Sequence, residues 1–322
     1  MRKVMVITID AGVDLSPDGT VSKEESFRSV LEGIPDRLEP LFRTHGANGS
    51  YLVSGEVLER DDCVEVLHEV KGEVGTLLQG EMVEPLRYDG QMGGLELREM
   101  QCFYEPRLER MKMTVLTDLF RERMGKRPSS FRAGHFGAGE STASILADLG
   151  YKVDSSVTPG IDWDLPEGRS DYTFSPSQPY HLGNDIAEPG EGPVLEVPVT
   201  LSSGWMHRAT HVSADSQFAR KWNRVVGKTM PGTWFRPTFH SERQMISAGR
   251  NEMARNRHND LVVLNMALSS TESIGGCGPY ARDEDECHAL LTRLNTALTW
   301  ARDLEFKFVT LSDLPYYFPK MD

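Results

Sequence analysis

Asp10, Arg132 and Asp154 each stand at or just past the end of a strand-like run, and His135 follows Arg132 by three residues. A carboxylate at a strand end can accept a proton as a general base, or it can cap a loop or pair with a cation. An imidazole titrates near neutrality, so His135 can serve as an acid, or as a hydrogen-bonded structural group. His207 and His211 are four residues apart, a spacing that puts both rings on one face of a helix, as metal ligands would be. No third ligand follows nearby, and two surface histidines have the same signature. Glu81 and Glu84 are acids of the kind that bind hard cations or simply face water. Trp163, Trp205, Trp234 and Tyr280 fall in loop-like sequence, where a ring can stack on a sugar or pack against its neighbours.

The elements that position these groups alternate along the chain. Val4 to Ile9 is a short apolar run. From about Lys23 to Arg43, Phe27, Val30, Leu31, Ile34, Leu38 and Leu41 recur at helical spacing. Ser50 to Val53 reads as a strand, Glu56 to Val70 as a helix and Glu73 to Leu78 as a third strand. A helical pattern runs from about Leu95 to Met124, with Pro106 expected to break or kink it. A strand around Phe131, a helix from Ser141 to Leu149 and a strand from Tyr151 to Asp154 follow. The segment 158–193 is rich in Pro, Gly and Asp and has little periodicity; it reads as an excursion or lid within one domain, 1–322. Strands over Val194–Val199, Asn259–Met266 and Lys307–Thr310 and helices over Ser213–Val226 and Glu284–Arg302 complete the pattern. Repeated βα units imply a mainly parallel sheet with helices outside, and functional groups then gather at the carboxyl ends of the strands. Asp10, Leu77–Gln79, Arg132, Asp154, Thr200 and Leu268–Ser270 occupy such positions.

With 322 residues, 39% hydrophobic and 8% aromatic, the chain can build one large α/β domain. Its net charge of −13 argues against a nucleic-acid partner, and no apolar run is long enough to span a membrane. The N-terminal run carries no cleavage site and leads straight into a motif, so a cytoplasmic location is expected. Cys63, Cys102, Cys277 and Cys287 form no CxxC pair and read as reduced thiols, Cys277 being the one expected at the surface.

Ser130-Phe131-Arg132-Ala133-Gly134-His135-Phe136-Gly137, followed by Leu149-Gly150-Tyr151-Lys152-Val153-Asp154-Ser155-Ser156, resembles the central signature of the polysaccharide deacetylase superfamily, carbohydrate esterase family 4. Its members are zinc enzymes that remove N- or O-acyl groups from sugars, and their fold is a distorted (β/α) barrel. The resemblance runs along essentially the whole chain. Thr8-Ile9-Asp10-Ala11-Gly12-Val13-Asp14 is similar to the first motif, which implies that Asp10 is the general base and leaves Asp14 as the remaining acid of that motif. In the family, the arginine at the position of Arg132 orients that base, while His135 stands where relatives carry Arg. Asp154 implies a pocket wall, and His240 follows the family-like Arg236-Pro237.

The departures fall on the chemistry. The second motif should supply a His-x-His pair, but here it reads Glu73-Val74-Gly75-Thr76-Leu77-Leu78-Gln79-Gly80. Leucine cannot coordinate zinc, and an amide oxygen is a poor substitute for imidazole. Leu268 occupies the position of the family's acid histidine, ahead of Ser269-Ser270-Thr271-Glu272 and a glycine-rich tail ending in Tyr280. Without a metal, a water would have to be activated by Asp10 alone, whereas zinc lowers its pKa from roughly 15.7 to about 7.

Three readings follow. The first is a metal-free descendant with no zinc cofactor, which keeps a pocket for a small carbohydrate-like or amido-sugar ligand, or assists an active homologous partner. The second is a metal-independent enzyme in which Asp10, positioned by Arg132, is the base and His135 the acid. The third is an active N-deacetylase with a relocated metal on Asp14, His135 and His240. Substrate contacts are expected from Asp14, Gln79, Asp154, Trp163, Arg236 and Tyr280.

Overall fold

A computed structural model describes residues 1–21, 26–85, 100–163, 165, 169–202 and 232–319. His207, His211, Trp205, the start of the helix expected at Leu95 and the helix expected over Ser213–Val226 lie outside the described residues.

Eleven strands are described, β1 (Arg2–Ala11), β2 (Ser50–Val53), β3 (Glu73–Leu78), β4 (Ser130–Ala133), β5 (Val153–Asp154), β6 (Tyr180–His181), β7 (Leu195–Glu196), β8 (Leu201–Ser202), β9 (Thr233–Trp234), β10 (Leu261–Ser269) and β11 (Lys307–Phe308). All but β8 and β9 belong to one curled sheet in the order β10-β1-β2-β3-β4-β5-β7-β6, with β11 also on β1. Every pairing in it is parallel except β6 with β7. This is the distorted (β/α) barrel expected of the chain, with its parallel sheet curled into a half-barrel.

Strand alternation sorts the side chains into two cores. Val4, Val6, Leu52, Leu77, Val153, Leu195, Val197, Leu261 and Val263 fill the barrel interior. Met5, Ile7, Ile9, Phe131, Leu264, Met266 and Leu268 face outward into the larger core formed with the helices. Past the end of β7 the chain crosses to β10, where the Thr200 N–H donates to the Asn265 carbonyl at 2.9 Å. The Val263 backbone on the edge of β10 is met by the amide of Gln178, which accepts from its N–H at 2.9 Å and donates to its carbonyl at 3.1 Å. A side chain thus covers an edge that another strand could otherwise join.

Several elements differ from the sequence expectation. The first helix has wide, π-type hydrogen bonding over Ser29–Leu38 and becomes α-helical over Glu39–His45; Pro35 lies inside the wide part, where its missing N–H breaks the ordinary ladder. The second is two helices, Gly55–Glu59 and Asp61–Glu69, separated by extended Arg60. Pro106 opens the helix Pro106–Met124 instead of kinking it, because proline at the first helical position has no hydrogen bond to lose. Segment 158–193 is a set of turns and β6 that occupies the crossover from β5 to β7, where a regular βαβ unit would place a helix. Cys277 is buried, its backbone carbonyl bonded by the Leu15 N–H, and burial pushes its thiol up to about 12. No helix among the described residues is long and apolar enough to cross a membrane.

The barrel floor is tied by one acid. Glu73 is buried and accepts from Ser130 Oγ at 2.7 Å, Ser50 Oγ at 3.2 Å and the Ser312 N–H at 2.9 Å, which joins β2, β3, β4 and the C-terminal turn. Replacing Glu73 with alanine strands these donors in the interior. The expected loss is about 2 kcal/mol, read as a lower urea midpoint with an unchanged slope.

Candidate functional site

Arg132 is the organising side chain of the barrel mouth. It points inward from β4, in register with Leu77 of β3, and its side chain is 1% exposed. Its Nε donates to the Ser155 carbonyl at 2.7 Å, and Nη2 donates to Thr8 Oγ1 and to Ser155 Oγ, both at 2.8 Å. Nη1 donates to Asp10 Oδ1 at 2.7 Å. The Asp10 side chain is 29% exposed, so this carboxylate is fixed at one oxygen while it still meets the opening. The contact is a charge-assisted hydrogen bond to a buried guanidinium.

Behind this pair stands a layer that sequence reasoning did not single out. Thr8 Oγ1 donates to Asn265 Oδ1 at 3.2 Å, and Asn265 Nδ2 donates to Ser155 Oγ at 2.9 Å and to the Val197 carbonyl at 3.0 Å. Asn265 therefore aligns both hydroxyls that hold Arg132. Its signal in the sequence is an amide in the middle of the apolar strand Leu261–Ser269, on the same alternation as the barrel interior.

The turn after β4 is left-handed at two successive non-glycine residues, His135 (φ 54°) and Phe136 (φ 58°). Such conformations are held only by their surroundings. Here the Gly137 N–H returns to the Gly134 carbonyl at 3.0 Å, and Tyr172 Oη donates to the Phe136 carbonyl at 2.8 Å. Gly134 is required because a Cβ there would lie 2.6 Å from the Leu78 carbonyl oxygen. The turn lays the Phe136 ring 5.4 Å from the Arg132 guanidinium carbon and leaves His135 exposed, with no hydrogen bond to Asp10.

Aromatic rings continue outward from Phe136. Trp163 stacks on it at 6.2 Å, with its Nε1–H donated to Thr158 Oγ1, and Trp234 lies 5.9 Å away. Phe239 follows at 6.0 Å from Trp234, and Tyr280 lies 5.3 Å from Phe239, the last two exposed to solvent. Arg236 is half covered beneath them, 4.7 Å from Phe239 and 5.6 Å from Tyr280, and it is paired with buried Glu272. Trp163, Arg236 and Tyr280 thus share one rim with Arg132. Phe136 and Phe239 are members of that rim to which sequence reasoning gave no role.

Two other expected contact residues sit elsewhere. Asp14 is buried and spends its carboxylate on Ser26 Oγ at 2.7 Å and the Ser29 N–H at 3.1 Å, at the start of the first helix. Asp154 is fully buried on the outer face of β5, because the register that turns Arg132 and Ser155 inward turns Phe131 and Asp154 outward. Gln79 does reach the mouth, with its amide against Gly12; a Cβ on Gly12 would lie 3.1 Å from Gln79 Oε1. Leu77 is packed in the interior core. Leu268 faces outward, in register with Ile9, so β10 presents Ala267 and Ser269 to the mouth instead. Burial lowers the pKa of His240 and so favours its neutral form, and its Nε2 has no hydrogen-bond partner. Among the described residues, no group of three or more His, Cys, Asp or Glu side chains is placed to hold a metal ion.

No family model and no curated protein matches the chain by sequence. Solved structures do. A probable polysaccharide deacetylase from Pseudomonas aeruginosa PAO1 aligns over 99% of this chain and 92% of its own, with a TM-score of 0.55 and 14% identity. Puue allantoinase aligns over 99% of this chain and 92% of its own (TM-score 0.52, 13% identity). The α-amylase AmyC from Thermotoga maritima aligns over 100% of this chain and 76% of its own (TM-score 0.52, 10% identity). The fold is therefore that of the polysaccharide deacetylases, and at these identities it is the fold alone that is shared.

Replacing Arg132 with methionine keeps the stem and removes the guanidinium, leaving Thr8, the Ser155 carbonyl and Asp10 without their donor. The expected cost is about 3 kcal/mol, at the low end for a broken buried pair because Asp10 touches water. Urea unfolding monitored by circular dichroism measures it.

Proposed function

We propose that this protein uses the polysaccharide deacetylase fold to bind a small carbohydrate or amido-sugar ligand at the barrel mouth, without the zinc hydrolysis that the motif resemblance implies. The observation that carries this reading is the set of side chains at the three positions where the resemblance puts imidazoles. Leu77 is interior packing, Gln79 lies against Gly12, and Leu268 points to the outer core. None offers the nitrogen or thiolate that zinc prefers, so the described residues do not fit the ion. The retained rim supports a ring-shaped ligand: Trp163, Trp234, Phe239 and Tyr280 offer apolar faces beside the polar Asp10–Arg132 pair, a combination typical of small-molecule sites.

A second reading is favoured by Asp10 itself. A carboxylate clamped at one oxygen by a buried arginine and open at the mouth is prepared to accept a proton, which suits metal-independent isomerisation, elimination or hydrolysis. Such catalysis contributes roughly 10²- to 10⁴-fold. His135 as the acid partner would have to act from the exposed side of its turn.

Metal content on protein purified without chelator is expected to fall far below one zinc per chain, and titration calorimetry with zinc is expected to show no saturable heat. Near-stoichiometric zinc would overturn the metal-free reading. Asp10→Asn separates the two alternatives. An N-acetylated sugar that binds wild type and variant alike, with no turnover by either, supports the binding protein. Turnover lost in the variant with binding retained makes Asp10 the base.

A further inference from the structure

Asp154 and Glu196 are neighbours in register across β5 and β7, and neither is exposed. Asp154 Oδ1 accepts from Ser156 Oγ at 2.8 Å and Oδ2 from the Ser156 N–H at 3.2 Å. Glu196 Oε1 accepts from the Val157 N–H at 3.1 Å, while buried Oε2 receives no hydrogen bond from another group. The two carboxyl groups lie side by side on one face of adjacent parallel strands, both fully buried. Two ionised carboxylates are acceptors only, so a bond between them requires a proton on one.

We propose that Asp154 and Glu196 share a single proton, carried on Glu196 Oε2 and donated to Asp154, and that this proton fastens segment 158–193 to the barrel. The strands that bear the pair are the two roots of that segment: β5 leads into it and β7 receives it. Tyr180 of β6 lies beside Glu196 in register, on the same face. The segment in turn supplies Trp163 and the Tyr172 hydroxyl that bonds the Phe136 carbonyl, so its attachment governs one wall of the mouth.

The surroundings do not supply a second charge to replace the proton. Arg132 of β4 is the nearest cation, but it lies on the opposite, inner face of the sheet and is committed to Asp10 at 2.7 Å. Tyr172 and Tyr180 face it from the segment, and burial raises both phenols, so they stay neutral; Cys102 beside Tyr172 is raised as well. Burial raises both acids, and the Asp154 charge raises Glu196 further. A folded-state pKa above the unfolded value means that this contribution to stability is complete below the ordinary carboxylate range. It is lost as pH climbs through the folded value, when two like charges would share an apolar site.

The test compares wild type with Glu196→Gln, whose amide keeps a donor to Asp154 but has no proton to lose. Hydrogen exchange of 158–193 and the melting temperature are followed from mildly acidic to mildly alkaline pH, with the infrared carbonyl band of protonated carboxylic acid. The wild type is expected to show that band at neutral pH. Its protection in 158–193 should fall, relative to the variant at the same pH, by up to about tenfold per pH unit between the ordinary carboxylate range and the folded pKa, and level off above it. The variant should lack that part of the band and lose stability less steeply toward alkaline pH. Equal pH slopes, or a band that persists in the variant, would overturn the proposal. Should Glu196→Gln fail to fold, Asp154→Asn leaves a single acid and must flatten the same slope, and a wild type without the band refutes the idea on its own.

Discussion

A guanidinium buried inside a barrel is tolerable only if its N–H groups find acceptors, because an unpaired cation there costs several kcal/mol. Arg132 meets that condition with atoms from separate strands and loops: Thr8 and Asp10 from β1, and the carbonyl and hydroxyl of Ser155 from the chain just past β5. Asn265 of β10 then fixes both hydroxyls. The partners span the curled sheet from β10 to β5, so the curvature of the half-barrel and the placement of Asp10 are one problem with one solution. A flatter sheet would pull Asn265 away from Ser155 and leave the arginine underbonded. The left-handed pair His135–Phe136 belongs to the same constraint, since it is what brings an aromatic face over the guanidinium.

The outer face of β4, β5 and β7 follows a different logic. A helix would cover it with apolar side chains, but the crossover here is irregular, and irregular backbone brings polar groups that must be paired. Ser156 Oγ takes the Ala133 N–H at 2.9 Å, Glu196 takes the Val157 N–H, and Tyr180 Oη donates to the Ile186 carbonyl at 2.7 Å. Buried acids become useful in this setting because each accepts N–H groups that no helix is present to satisfy. The penalty for burying them is removed by keeping one protonated, which a carboxyl group can do and a lysine or arginine partner could not do so compactly.

The long strands were readable because nine or ten apolar-rich residues leave one answer: β1 and β10 fall within two or three residues of their expected bounds. The strands of two residues, β5 and β7, are held by their neighbours more than by their own propensity, and there a one-residue shift in phase reverses the face of every side chain. That phase is why Asp154 reads as pocket wall in the sequence and lies outside in the structure, and why Leu268 reads as a mouth residue and packs against Ile9's layer. Asp10 and Arg132 were legible because the motif resemblance named them and their positions end strands. Asn265 and Glu196 were not, because their roles depend on contacts 68 and 39 residues away in the chain, to Val197 and Val157. Pro106 and Cys277 show the same limit: helix phase and loop burial are set by what packs on them.

A fold shared by a deacetylase, an allantoinase and an α-amylase cannot by itself select a reaction. The inward positions of this chain at the carboxyl rim are residue 10 on β1, residue 77 on β3 and residue 79 just past it, residue 132 on β4 and residue 269 on β10. Two of these, Asp10 and Arg132, form a charged pair whose geometry the whole interior supports, whereas Leu77 contributes only to packing. Strands β1, β4 and β10, with the chain just past β5, together orient one carboxylate at this rim, and its open side is the polar group that the mouth presents.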